Sequence, residues 1–158
     1  MKSMSLSNAN QVEDIIIEPY GGDPTGSTEA DKLGGEMDFI AFTNLVSITC
    51  EGNDITAIHN FPDSLRIANL KDNKLGNGKL SEYFVANPNI TNMDLRNNAM
   101  TLGDVEAVII SFYSVWDGEE HVRLDMRENG VTEAQLTSPA SNNFDVLSLM
   151  GNWEILLD

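Results

Sequence analysis

The sequence predicts an α/β fold, a short and irregular solenoid with parallel strands on a concave face and loops and helices on the convex side. Three observations lead there. A frame of apolar–x–x–apolar–x–apolar–x–x–Asn–x–apolar recurs around Asn53, Asn73, Asn98 and Asn129. The spacing between those asparagines is 20, 25 and then 31 residues, so each repeat has room for one strand and a return path of growing length. Finally, Leu102, Val105, Val108, Ile109, Phe112 and Trp116 fall on one face of a helix.

Taken in chain order, residues 1–36 form an acidic, Gly-rich N-terminal arm, extended or partly disordered. Gly21-Gly22-Asp23-Pro24 and Gly34-Gly35 are turn chemistry, and Ile15-Ile16-Ile17 is a β-prone run flanked by acids. Three readings of this tract stand side by side. It is an arm that docks on a partner through Ile15, Ile16, Ile17 and Tyr20, a mobile tail, or a strand laid on the first edge of the stack. Met37, Phe39, Ile40 and Phe42 supply a first strand or cap for residues 37–158.

The repeats follow. The first is Leu45, Ile48, Cys50, Asn53 and Ile55; the second Leu65, Ala68, Leu70, Asn73 and Leu75. The third is Ile90, Met93, Leu95, Asn98 and Met100; the fourth His121, Leu124, Met126, Asn129 and Val131, departing only at its first position. The central apolar–x–apolar is a strand with one buried face. The asparagine stands where the chain turns, and its amide can pair backbone groups that a turn leaves without partners. Stacked repeats align these amides into a ladder, and no repeat buries its apolar side alone.

The return paths differ. The first, through Phe61 and Pro62, is short and irregular. The second, around residues 79–87, holds a short helix with Leu80, Phe84 and Val85 inward. The third is the long helix, with Thr101 as N-cap and Asp104 and Glu106 in the first turn, where the helix dipole favours acids. A last helix spans residues 142–150, Gly151 stops it, and residues 153–157 form a closing strand.

On these residues the chain resembles the leucine-rich repeat family, whose signature is L-x-x-L-x-L-x-x-N/C-x-L. Residues 93–158 are further similar to leucine-rich repeat segments of bacteriophage structural proteins. Those segments share the Leu95-Arg96-Asn97-Asn98 start running into Thr101, the Val105-Glu106-Ala107-Val108-Ile109 helix, and a terminal Gly151-Asn152-Trp153. The resemblance implies a virion or tail-associated protein that assembles without catalysis, its partners being virion components or copies of itself. The alternative is a free bacterial adhesin or recognition protein.

Composition bears on what the chain does. It has 158 residues and a net charge of −16, with eight acids and two bases in residues 1–38. Nucleic-acid binding through a broad basic surface is disfavoured. No run is long enough to span a membrane, and Met1 to Asn8 lacks the apolar core of a signal peptide, so the expected place is a virion or the cytoplasm. Cys50 sits at a core position and reads as a small hydrophobe. No P-loop, dinucleotide fingerprint, HExxH or nucleophile elbow occurs, and His59 and His121 have no metal-ligand spacing. The expectation is a non-enzyme with no cofactor and no metal.

One surface remains. Residues between the apolar positions of each strand point to the opposite, concave face. They form rows: Thr49, Asn69, Asp94, Asp125; then Glu51, Lys71, Arg96, Arg127; with Ser47, Ile67, Asn92 and Arg123 beside them. Lys71, Arg96, Arg123 and Arg127 are four of the nine bases of an acidic chain. Either Asp94 and Asp125 neutralise the arginines internally, or these six residues form a charged groove for an acidic loop or a polar polymer.

Overall fold

The computed structural model of the protein describes residues 9–18, 32–78, 86–115 and 120–158. Its strands are β1 (Asp14–Ile16), β2 (Gly34–Asp38), β3 (Ser47–Thr49), β4 (Asp54–His59), β5 (Ile67–Asn69), β6 (Asn92–Asp94), β7 (Val122–Asp125) and β8 (Trp153–Leu156). Two helices, α1 (Leu102–Val115) and α2 (Ala140–Leu149), lie on the core side and pack on one another. The fold is α/β, and its main sheet has six parallel strands in the order β1-β3-β5-β6-β7-β8. Each strand joins its predecessor in the sheet without skipping, so chain order and spatial order coincide.

The register follows the repeat frame. Ile15, Ile48, Ala68, Met93, Leu124 and Ile155 stand side by side across the sheet. The next inward positions, Cys50, Leu70, Leu95 and Met126, are buried, as are the frame-closing Ile55, Leu75, Met100 and Val131. Burial pushes the Cys50 thiol up to about 12, so it packs as an apolar group. At its first position the fourth repeat departs further than the frame predicts: His121 is exposed and Val122 turns inward instead.

The four asparagines make the ladder. Asn73 Nδ2 donates to Leu70 O at 3.0 Å in its own turn and to Cys50 O at 2.8 Å in the turn before. Asn98 does the same with Leu95 and Leu70 (3.1 and 2.9 Å), and Asn129 with Met126 and Leu95 (2.8 and 3.1 Å). Each Oδ1 accepts the N–H two residues beyond the preceding asparagine: Ile55 on Asn73, Leu75 on Asn98, Met100 on Asn129. Every rung therefore pairs backbone groups of two turns at once. The residue before each asparagine is left-handed: Gly52 (φ 76°), Asp72 (56°), Asn97 (49°) and Glu128 (63°). That bend swings the amide inward, and Gly, Asn and Asp tolerate it best.

The ladder extends past both ends of the sequence frame. Asn53 Nδ2 donates to Ile17 O (3.0 Å), and its Oδ1 accepts Leu33 N–H (2.9 Å). Because Ile15 pairs with Ile48, Ile17 stands where Cys50 does in the next turn. Val12, Ile15 and Ile17 thus occupy the apolar positions of a preceding turn. At the other end the Asp158 carboxylate accepts the N–H groups of Glu128, Asn129 and Gly130 at 2.7, 3.0 and 2.5 Å.

One expectation needs correction. The first return is irregular only from Asn60 to Pro62: before that, β4 pairs in parallel with β2, making a two-stranded sheet with a bulge at Gly35 (φ 97°) and Glu36. Ile55, Ala57 and Ile58 of β4 are buried. Its partner strand starts at Gly34, inside the tract read as an arm, so no pairing was visible from the repeat alone. The helix expected around residues 79–87 falls largely outside the described residues, as does Trp116.

Helix α1 begins as predicted. Thr101 Oγ1 accepts Asp104 N–H (3.3 Å), while the Asp104 carboxylate accepts Thr101 N–H (3.0 Å), a reciprocal cap. Asp104 also accepts Gly78 N–H (3.1 Å), which fastens the helix start to the second repeat. Val105, Val108, Ile109 and Phe112 are buried, and Phe112 meets Trp153 edge-on at 5.6 Å. Helix α2 gives way to Gly151 (φ 71°) before β8.

Candidate interaction surface

The face of the main sheet turned away from the helices carries the rows read from the sequence. Pairing brings Asp14, Ser47, Ile67, Asn92, Arg123 and Glu154 into one row. Ile16, Thr49, Asn69, Asp94, Asp125 and Leu156 make the next. Asn69, Asp94 and Asp125 each accept the N–H two residues on, from Lys71, Arg96 and Arg127 (3.3, 3.1 and 3.4 Å). Their own turns thereby hold these side chains in place.

Five of the six charged residues singled out on this face form one network. Arg96 Nε and Nη2 lie 3.0 and 2.5 Å from Asp94 Oδ2, and Arg96 Nε lies 3.6 Å from Asp125 Oδ2. Arg127 grips Asp125 with Nε (2.9 Å) and Nη2 (2.6 Å). Arg123 Nη2 reaches Asp125 at 2.9 Å, and its Nε lies 3.2 Å from Glu154. Asp125, with its side chain 0% exposed, is the hub on which three guanidinium groups converge. Burial alone would raise its carboxyl, but the hydrogen bonds and charge of Arg127, with Arg123, hold it below the usual carboxylate range. Its carboxylate in turn raises Arg127, and Asp94 raises Arg96.

Lys71 stands apart from this network. Its Nζ lies 3.6 Å from Glu51 and 3.3 Å from Asp72, and it is raised chiefly by its hydrogen bond to Asp72. Asn69 Nδ2 completes that smaller group by donating to Glu51 at 3.0 Å. So the arrangement is one of compensation: acids and bases alternate along each strand, while across strands like stands beside like, Asp94 next to Asp125. What the guanidinium groups retain is the Nη1 of Arg96, Arg123 and Arg127, which makes no hydrogen bond among the described residues. Planar donors fixed in a row, their other edges held by carboxylates, are preorganised to receive oxygen acceptors. Ile67 adds an exposed apolar patch beside them.

Of the residues assigned to arm docking, Ile15 is buried in the chain's own core, Ile17 packs against it, and Ile16 is 69% exposed at the end of the Asp125 row. Tyr20 lies outside the described residues. Sequence reasoning missed Glu154 and Asp158. The signal for Glu154 was present, because aligning the closing strand on Val122 puts it beside Arg123. Asp158 gave none, since its role depends on the path after β8.

Among the described residues no group of His, Cys, Asp and Glu is arranged to hold a metal ion, and no helix is long and apolar enough to cross a membrane. No protein-family model matches the chain, and neither a curated protein nor a solved structure matches it.

Proposed function

We propose that this chain is a short leucine-rich repeat solenoid that works as a non-enzymatic protein-interaction module, in the setting of a bacteriophage virion or tail. The observation that carries the reading is the rung-by-rung repetition. Four asparagines bind equivalent backbone groups in successive turns, and the same register lays out Arg96, Arg123 and Arg127 around Asp125 on the sheet face turned away from the helices. A polar surface of this kind suits a protein loop that brings carbonyl, hydroxyl or carboxylate oxygens to the three Nη1 groups. A bare anion is a poorer fit, because the arginines are already matched by Asp94, Asp125 and Glu154 and the chain carries −16.

The test uses a photo-crosslinking residue at Asn92 on this face, or at Tyr113 on the outer side of α1, in the native host. A discrete adduct with a structural protein of the particle, formed from Asn92 and lost in Arg96→Lys with Arg127→Lys, supports the reading. The lysine pair keeps charge while removing the planar fork. Adducts that survive the lysine pair, or form only from Tyr113, overturn it. An adduct with a cell-surface molecule instead favours a free recognition protein.

A further inference from the structure

The geometry points to a second docking place, the outer edge of β8, and to its occupant: an extended, basic–aliphatic segment of another protein that adds a strand to the sheet. Among the described residues no strand lies beyond β8 in the main sheet. Val122 N–H donates to Asn152 O (2.8 Å) and Met126 N–H to Leu156 O (2.9 Å). The even-numbered residues there therefore turn their backbone groups to β7, and the odd-numbered residues of β8 turn theirs outward. The edge is short, yet β8 spans four residues where β3, β5 and β6 pair over three. A strand added here gains a ladder no shorter than those the sheet already uses.

Side chains decide what such a strand must carry. Glu154 stands next to Arg123 across the sheet, 3.2 Å from its Nε through Oε2, and its Oε1 has no partner among the described residues. A residue opposite Glu154 on the outer side occupies the place that Arg123 occupies on the inner side, so a lysine or arginine fits there. Opposite Ile155, which packs against the core, an apolar residue fits. Leu149, 85% exposed, and Met150 lie at the end of α2, separated from the strand by Gly151 and Asn152, and offer further exposed apolar surface near its start. A second copy of this chain is the wrong occupant. Offered through its β1 edge, it continues the register with Asp14 against Glu154 and Ile15 against Ile155; offered through its own β8, paired antiparallel about Glu154, it sets that acid against its copy, so the acids repel in both.

The experiment titrates the full chain with a labelled peptide of alternating lysine and valine. Two control peptides accompany it: alternating glutamate and valine, and the lysine–valine peptide N-methylated at every residue. The methylated form keeps charge and side chains but has no backbone donor. Binding is followed by fluorescence anisotropy and by amide chemical shifts. The expected result is binding of the lysine–valine peptide alone, with shifts at Ile155, and weakening of about tenfold or more in Glu154→Lys and a smaller loss in Glu154→Gln. Equal binding of the methylated peptide would mean attraction to an acidic surface without strand addition, and would overturn the proposal. So would absence of binding, undiminished binding by Glu154→Lys, or self-association of the chain that the peptide disrupts.

Discussion

Asn98 touches the carbonyls of Leu70, Leu95 and Arg96 and the amide of Leu75, all from a side chain sealed from solvent. Asn98→Ala leaves those groups buried with nothing in their place, so it should lower stability by about 1–3 kcal/mol. Chemical denaturation measures this directly, and a loss too small to resolve would mean that water replaces the amide. The neighbouring positions offer a change of the opposite sign. Glu128 holds φ 63° in the place that Gly52 fills with φ 76°. A side chain in the left-handed region costs about 1–2 kcal/mol, and the greater freedom of unfolded glycine offsets about half of that. Glu128→Gly should therefore raise stability modestly, by about 0.5–1 kcal/mol, and the denaturation midpoint with it. A lower midpoint would assign Glu128 a stabilising role toward the nearby arginines. These bends were partly legible in the sequence. Gly52, Asp72 and Asn97 are residues that favour them, whereas nothing about Glu128 announces one.

At the scale of elements, the last rung is built differently from the others. Three backbone N–H groups point at the Asp158 carboxylate, and they hold it below its ordinary value of 3.8. A carboxyl depressed in the folded state stabilises above its unfolded value, and that contribution disappears as pH falls through the folded value. Asp158→Asn should therefore be less stable than wild type at neutral pH, and the gap should close as the pH drops below 3.8. Unfolding curves collected down the acid limb test this, and a gap that stays constant would show that charge is not what matters. The elements themselves were unevenly legible. Helix α1, its Thr101 cap and the α2–Gly151–β8 ending could be read because periodicity and stop signals are local. Strand β4 could not, because its partner β2 lies outside the repeat and the pairing is set by tertiary contact. The turn at Val12, Ile15 and Ile17 kept the apolar frame but lacked the asparagine, and the asparagine was the signal being followed. Likewise the charged rows were readable from strand alternation, but the convergence of three arginines on a buried Asp125 depends on how adjacent strands stagger their long side chains.

For the whole molecule, sequential strand order makes stability a property passed from neighbour to neighbour. β1 meets β3, and the first rung reaches Ile17, but no pairing in the main sheet joins the first turn to β6, β7 or β8. Deleting residues 1–17 should accordingly act at one end. Ile48 loses its paired neighbour Ile15, Asn53 loses the Ile17 carbonyl, and the sheet gains a new open edge at β3. The deletion also removes two acids, Glu13 and Asp14, and one base, Lys2, so the net charge changes by one unit only and self-repulsion cannot account for the outcome. Native-state hydrogen exchange locates the effect. Protection should collapse at Ser47 and Thr49, whose backbone groups face β1, and weaken at Ile48, while Leu124 and Leu156 keep theirs, and the lysine-sensitive contact around Arg96 and Arg127 should survive. Uniform loss of protection from Ser47 to Leu156 would instead mean that the chain folds as one cooperative unit, in which the first turn supports the charged face as directly as it supports its own neighbour.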